Sequence, residues 1–115
     1  LEKHKSKAFG YQFNVNSPLL NGRLGAYHGS ELPYLFGSWE NNYLEWCSQD
    51  AKIIAEFLQI SWTNFAKTGS PSSELFEWQT YSKNSLVAQI ASKVELRPYN
   101  NISKIKLLYE SKITY

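Results

Sequence analysis

The residues of this chain that could do chemistry converge on one short stretch, GAYHGSELPYLFG, from Gly25 to Gly37. His28 stands there between small residues, directly ahead of an apolar, aromatic run. An imidazole with an unperturbed pKa near ~6.5 can take up and return a proton around neutral pH, so general acid–base chemistry would turn on this side chain. Its plainer role is a loop histidine satisfied by a backbone carbonyl. Glu31, three residues on, is either a carboxylate serving backbone N–H groups of a loop or first helical turn, or a support for the histidine. His4, the other histidine, lies in the lysine-rich start LEKHKSK and fits a solvated residue. The two histidines are 24 positions apart with no carboxylate cluster around them, and Cys47 is the single cysteine. That pattern makes a poor zinc site and allows no internal disulfide. Neither a metal nor an organic cofactor is expected.

The bulk of the chain bounds what His28 can belong to. With 115 residues, 43% hydrophobic and 16% aromatic, it has enough to bury for one small core and too much to remain disordered. Net charge is +2 and the lysines are spread, which argues against a nucleic-acid or polybasic membrane partner. No apolar run approaches the length of a membrane span, and no signal peptide is visible. The chain opens at Leu1 and contains no methionine, which suggests a processed, truncated or excised piece of a longer product. Cytoplasmic and secreted readings both stand, the cytoplasmic slightly ahead.

The elements that must position His28 follow from periodicity. In AFGYQFNV, Phe9, Tyr11, Phe13 and Val15 alternate with smaller or polar residues, the pattern of a strand with one apolar face. It ends in turn chemistry at NSPLLNG, after which the His28 loop and the short segment ELPYLFG, interrupted by Pro33, follow. The clearest helix runs from Gln49 to Thr68. Ala51, Ile54, Ala55, Leu58, Trp62 and Phe65 form its stripe, Ser48 or Asp50 can cap it, Lys67 suits its negative end, and Gly69 and Pro71 stop it. After the polar linker SSELFEWQTYSKNS, LVAQIASKVELRP fits one or two short strands with a turn near Ser92 and Lys93. A last helix is expected in NNISKIKLLYESKI, capped by Asn101 or Ser103, with Ile102, Ile105 and Tyr109 on one face. One strand, one long one-faced helix and short pieces do not close a two-layer domain. The strand's neighbours and the sheet under the helix are therefore expected outside these residues.

In α/β proteins, loops at the carboxyl ends of strands carry the chemistry, and in α/β-hydrolases the catalytic histidine comes last in chain order. The ordered run YQFNV, GAYHGSELPYLFG, SWTNFAKTGSPS and WQTY resembles the C-terminal part of a type-B carboxylesterase, the family of the cholinesterases and para-nitrobenzyl esterases. The resemblance covers Phe9 to Tyr81 and, more loosely, the rest of the chain. It implies an α/β fold in which residues 1–115 are the C-terminal segment of one α/β-hydrolase domain, without separate domains and not complete in themselves. That segment would hold a late sheet strand, the His loop, a long helix, short terminal strands and a C-terminal helix.

Carried over onto this sequence, the resemblance makes His28 the catalytic histidine and Glu31 the acidic residue behind it, in a supporting role and not as the triad acid. Trp62, Phe65 and Trp78 are expected to pack; Pro33 to Gly37 fit either simple burial or the wall of a substrate gorge. No serine has a glycine two positions before and after it, so the chain holds no nucleophile elbow, and it has no HGGG-type oxyanion stretch. The serine, the acid and the oxyanion hole would come from the upstream part of the same esterase, acting on a small-molecule ester through an acyl-serine intermediate. The isolated chain is then expected to be inactive. A homodimer through C-terminal helices is also implied. Two other readings stand beside this one: a segment of a non-catalytic, adhesion-type relative of the same fold, and an independent small α/β module.

Overall fold

The structure is a computed structural model and describes residues 6–37, 50–82, 84–99 and 101–110. In chain order it comprises β1 (Gly10–Phe13), a 3-10 turn (Leu19–Gly22), α1 (Leu32–Phe36), α2 (Asp50–Thr68), β2 (Leu86–Ile90), β3 (Val94–Pro98) and α3 (Ile102–Glu110).

The alternating aromatic stretch forms β1, shorter than its pattern by a residue or two at each end. Asn14 N–H still donates to the Ile90 carbonyl at 2.8 Å, so the ladder continues one residue past the strand. The expectation that β1 lacks a neighbour within the chain is corrected here. β1 pairs in parallel with β2, Gly10 opposite Val87 and Phe13 opposite Ile90, and β2 pairs antiparallel with β3, giving a three-stranded sheet in the order β1-β2-β3. A parallel pair needs a long crossover. Periodicity is local and carries no trace of a partner 77 residues away.

The pleat gives this sheet two unlike faces. Tyr11, Phe13, Ala88, Ile90, Val94 and Leu96 share one face by register, and Ala88 and Ile90 are fully buried there. On the opposite face Gln89 accepts from Asn14 at 2.6 Å and donates to Gln12 at 3.0 Å, a row of amides that satisfies itself across β1 and β2.

Against the apolar face lies α2, whose expected stripe is buried at Ala51, Ile54, Ala55 and Leu58. Phe57 and Ser61 are buried too, Trp62 is half-buried, and Phe65 is 49% exposed. The buried band is displaced because α2 is covered on two sides. The sheet takes one, and the segment after the helix takes the other: Phe57 meets Phe76 edge-on at 5.6 Å and stacks with Trp78 at 6.1 Å. That segment is polar in sequence, yet Trp78 within it is only 4% exposed. The indole Nε1–H of Trp78 donates to the Gly10 carbonyl at 3.2 Å, and the Ser72 hydroxyl bridges the Trp78 backbone N–H and C=O. Trp62 and Trp78 thus pack as expected.

The end of α2 follows its signals: Lys67 lies in the last turn, and Gly69 at φ +78° donates its N–H to the Phe65 carbonyl at 2.8 Å. A left-handed glycine closes a helix at little steric cost. Ser48 and Gln49 at its expected start, like His4 and Cys47, lie outside the described residues. The hairpin turns where expected, with Ala91 N–H donating to the Lys93 carbonyl. In α3, Ile105 is 51% exposed; the side chains of Ile102 and Tyr109 are outside the described set.

Candidate active-site loop

β1 delivers the chain into an excursion that its own backbone closes. Ser17 N–H donates to the Gly25 carbonyl at 2.9 Å, and Ser17 Oγ accepts from Leu19 N–H at 3.2 Å. Inside it, Arg23 N–H reaches the Leu20 carbonyl and Gly25 N–H the Gly22 carbonyl. The excursion therefore returns its end to a fixed place, and the next five residues carry His28.

Those residues form consecutive turns. Ser30 N–H donates to the Tyr27 carbonyl at 3.0 Å, Leu32 N–H to the Gly29 carbonyl at 3.1 Å, and Leu35 N–H to the Glu31 carbonyl at 3.0 Å as α1 begins. Gly29 has φ +80°, and a Cβ built there would meet only Leu32 Cδ1, at 3.6 Å. The conformation, not a shortage of space, asks for glycine next to the histidine. Pro33 falls in the first turn of α1, where its missing N–H breaks no helical bond. The short apolar segment interrupted by proline is thus a five-residue helix. Its Tyr34 is buried against Phe13, ring centroids 5.3 Å apart, while Gln59 of α2 donates to the Tyr34 carbonyl. Phe36, at the far end of the segment considered as a gorge wall, is 72% exposed.

The backbone around His28 is therefore pinned, but its side chain is not. His28 is exposed and has no hydrogen-bond or ion-pair partner among the described residues. No backbone carbonyl satisfies it. Next to it Ser30 is 2% exposed, and its hydroxyl has no hydrogen-bond partner among the described residues.

Glu31 does not cap α1, although it sits at the capping position. Its Oε1 instead accepts a hydrogen bond from the Tyr11 hydroxyl at 3.1 Å, across 20 residues. Tyr11 stands edge-on to Trp62 at 5.0 Å, and Trp62 meets Trp78 at 6.0 Å. Burial raises the Tyr11 phenol above its usual pKa, and the neighbouring Glu31 carboxylate raises it further by charge and hydrogen bonding. The proton thus stays on the phenol, and Tyr11 remains a donor. Tyr11 was not among the residues singled out by type and spacing. The signal was present in β1, where Tyr11 supplies the one hydroxyl on a face otherwise made by Phe9 and Phe13.

The structure brings Glu31 to Tyr11, and among the described residues it brings neither a serine nor a carboxylate to the His28 ring. Among the described residues no group of three or more His, Cys, Asp or Glu side chains could hold a metal, and no helix is long and apolar enough to cross a membrane. Among the described residues the loop presents one imidazole without a polar partner, on a turn that follows a parallel strand and is closed by backbone hydrogen bonds. Such a group can accept a proton from, and return it to, a molecule or side chain brought against it.

Comparison with known proteins gives this arrangement a context. The family model described as the carboxylesterase family matches residues 1–108. The para-nitrobenzyl esterase of Bacillus subtilis (strain 168) is 33% identical over 63 residues, 52% of this chain and 13% of that protein. Phenmedipham hydrolase of Pseudarthrobacter oxydans is 32% identical over 81 residues, 62% of this chain and 16% of that protein. Among solved structures, a thermophilic PNB esterase superposes with a TM-score of 0.71 at 26% identity, over 91% of this chain and 22% of that one. The Geobacillus stearothermophilus carboxylesterase EST55 shares the fold with a TM-score of 0.70 at 19% identity, over 87% of this chain and 21% of that one. The chain spans about a fifth or less of the length of the relatives it matches.

Proposed function

The chain belongs to the carboxylesterase family and has the fold of part of an α/β-hydrolase; on that premise we propose that it is the C-terminal segment of a serine carboxylesterase and supplies the catalytic histidine, His28. The observation that carries this reading is the state of His28. Its ring is exposed and without a polar partner among the described residues, on a turn that the surrounding backbone holds in place, within the order of motifs that resembles the family. A histidine with a structural task would have a partner. This one is ready for a group supplied from elsewhere.

In this mechanism a serine from the upstream part of the domain attacks the ester carbonyl while His28 removes its hydroxyl proton. The tetrahedral intermediate collapses, the carbon–oxygen bond to the alcohol breaks, and His28 returns the proton to the departing alcohol. Water then attacks the acyl-serine, giving its proton to His28. The intermediate releases the carboxylic acid, and the proton goes back to the serine oxygen. The upstream acid orients the imidazole, and upstream N–H donors hold the developing oxyanion. His28 performs every proton transfer in the cycle without a metal or organic cofactor. Glu31 holds the turn from behind and does not receive the proton.

The test uses the whole protein from which this segment comes. It should label with a fluorophosphonate and hydrolyse a para-nitrophenyl carboxylic ester, and His28→Ala should abolish turnover. Residues 1–115 alone should turn over none of the ester. Failure of the whole protein to label or hydrolyse would overturn the reading in favour of a non-catalytic relative.

A further inference from the structure

Resting on the reading of His28 above, we propose that Tyr11 is a positioning residue: its phenol, donated to Glu31, fixes the turn on which the histidine is presented.

Tyr27 to Leu32 is closed on itself by short-range hydrogen bonds, Ser30 N–H to Tyr27 and Leu32 N–H to Gly29. Such bonds set the shape of a turn; its place on the fold comes from the Ser17–Gly25 bond before it and from the contacts of Glu31 and Tyr34 at its end. Within this turn, the long-range side-chain anchor is Glu31 Oε1, held by the Tyr11 hydroxyl at 3.1 Å. His28 and Glu31 lie inside the two overlapping turns Tyr27–Ser30 and Gly29–Leu32, joined through Gly29 and Ser30. The bonds from Ser30 N–H to Tyr27 and from Leu32 N–H to Gly29 span this stretch, so the place of Glu31 is carried through the turn to His28.

Tyr11 is suited to this because it is itself immobilised. It belongs to β1, paired with Ala88 in the fully buried part of β2. Its ring stands against Trp62, which meets Trp78, whose indole returns to the β1 backbone at Gly10. The path is a closed loop of contacts from the sheet, through three aromatic rings, back to the sheet. Its one polar outlet in these contacts is the bond to Glu31. Retention of the phenol proton under burial and the Glu31 charge keeps this donor available across the range in which an imidazole titrates.

Positioning to within an ångström is worth about a hundredfold in rate, so loss of this bond should show in kcat and not in KM. In the whole protein, Tyr11→Phe and Glu31→Ala should each lower kcat by about 10-fold to 100-fold with KM within about twofold. The double variant should be no slower than the worse single one, because both remove the same bond. Glu31→Gln keeps an acceptor for the phenol and should retain most of the activity. Independently of activity, amide exchange at Ser30 and Leu32 should quicken by about 10-fold or more in Tyr11→Phe.

Unchanged kcat and unchanged exchange in Tyr11→Phe would overturn the proposal, as would multiplicative losses in the double variant. A lowered Tm with kcat intact would show a merely structural bond and also overturn it. His28→Ala separates the two levels: if that variant keeps its activity, the reading of His28 fails, whereas an inert His28→Ala beside an unaffected Tyr11→Phe refutes the role of Tyr11 alone.

Discussion

Around α2, side chains hold one another; around His28, the backbone is held and the side chain is free. Leu58 is completely buried between the sheet and the rings that flank α2, and Phe57, Phe76 and Trp78 form a mutually touching trio beside it. Earlier in the chain, the loop after β1 is closed by main-chain hydrogen bonds, while His28 itself touches no polar partner among the described residues. The difference separates two tasks. The α2 region gives stability and tolerates little change in volume, because interiors are packed like crystals. The His28 turn is positioned by that packing but adds little to it, so its side chain is available for chemistry.

The largest effect that could break this contrast belongs to His28. His28→Ala should lower kcat of the whole protein by at least ~10⁴-fold, as loss of one member of an interdependent triad does. Ester kinetics of His28→Ala beside the wild type check this, and a loss of less than about 100-fold would break the contrast. Leu58→Ala tests the other region. It should cost about 2–5 kcal/mol in denaturant unfolding through lost burial and a residual cavity, and a loss below 1 kcal/mol would mean that the region is not packed as described. Between the two lies Gly29→Ala, which leaves free space around the new methyl but forces a left-handed residue. It should cost about 1–2 kcal/mol and slow turnover, with unfolding and kinetics on the same preparation as the measure.

A smaller effect sharpens the link between the regions. The Tyr11 phenol has its pKa raised in the folded state, first by burial and then by Glu31, so the unfolded chain loses this proton at a lower pH than the folded one. The contribution is fully present below the unfolded value near ~10 and is lost as pH rises from there through the folded value. Wild-type unfolding free energy should therefore fall with pH above about 10 more steeply than that of Tyr11→Phe. Parallel curves would remove the coupling.

Much of this was legible in the residues, for reasons that also mark the limits. The alternation of Phe9, Tyr11, Phe13 and Val15 announced β1, and the stripe Ala51, Ile54, Ala55, Leu58 with Gly69 and Pro71 announced α2 and its end, because burial on one face imposes a local period. The hairpin about Ser92 and Lys93 followed from the same logic. The placing of His28 came from the order of four motifs, which no periodicity could supply. The parallel β1–β2 pairing was not legible, since parallel register is set by distant partners. Neither was α1, a helix of five residues being too short to show a period and opening on a proline. Phe57 entered the core because the segment around Trp78 folds back on α2, and a polar composition concealed that buried tryptophan. The bond from Tyr11 to Glu31 joins two side chains that are each ordinary in their own surroundings.

The pairing of β1 with β2 has a consequence in time. Gln12 and Gln89 are 77 residues apart, and the strand carrying Tyr11 lacks its parallel neighbour on the β2 side until β2 has been made. At a synthesis rate of ~5–20 residues per second, β1 waits about 4–15 s on the ribosome before its parallel neighbour exists. Throughout that interval the β2-facing edge of this short, aromatic, β-prone strand is unpaired, the kind of edge that recruits other nascent chains. The bonds that close Ser17 to Gly25 and the early helical turn at Leu32 are short-range and can form within that wait. They give the segment a local fold to rest in until translation delivers its partner.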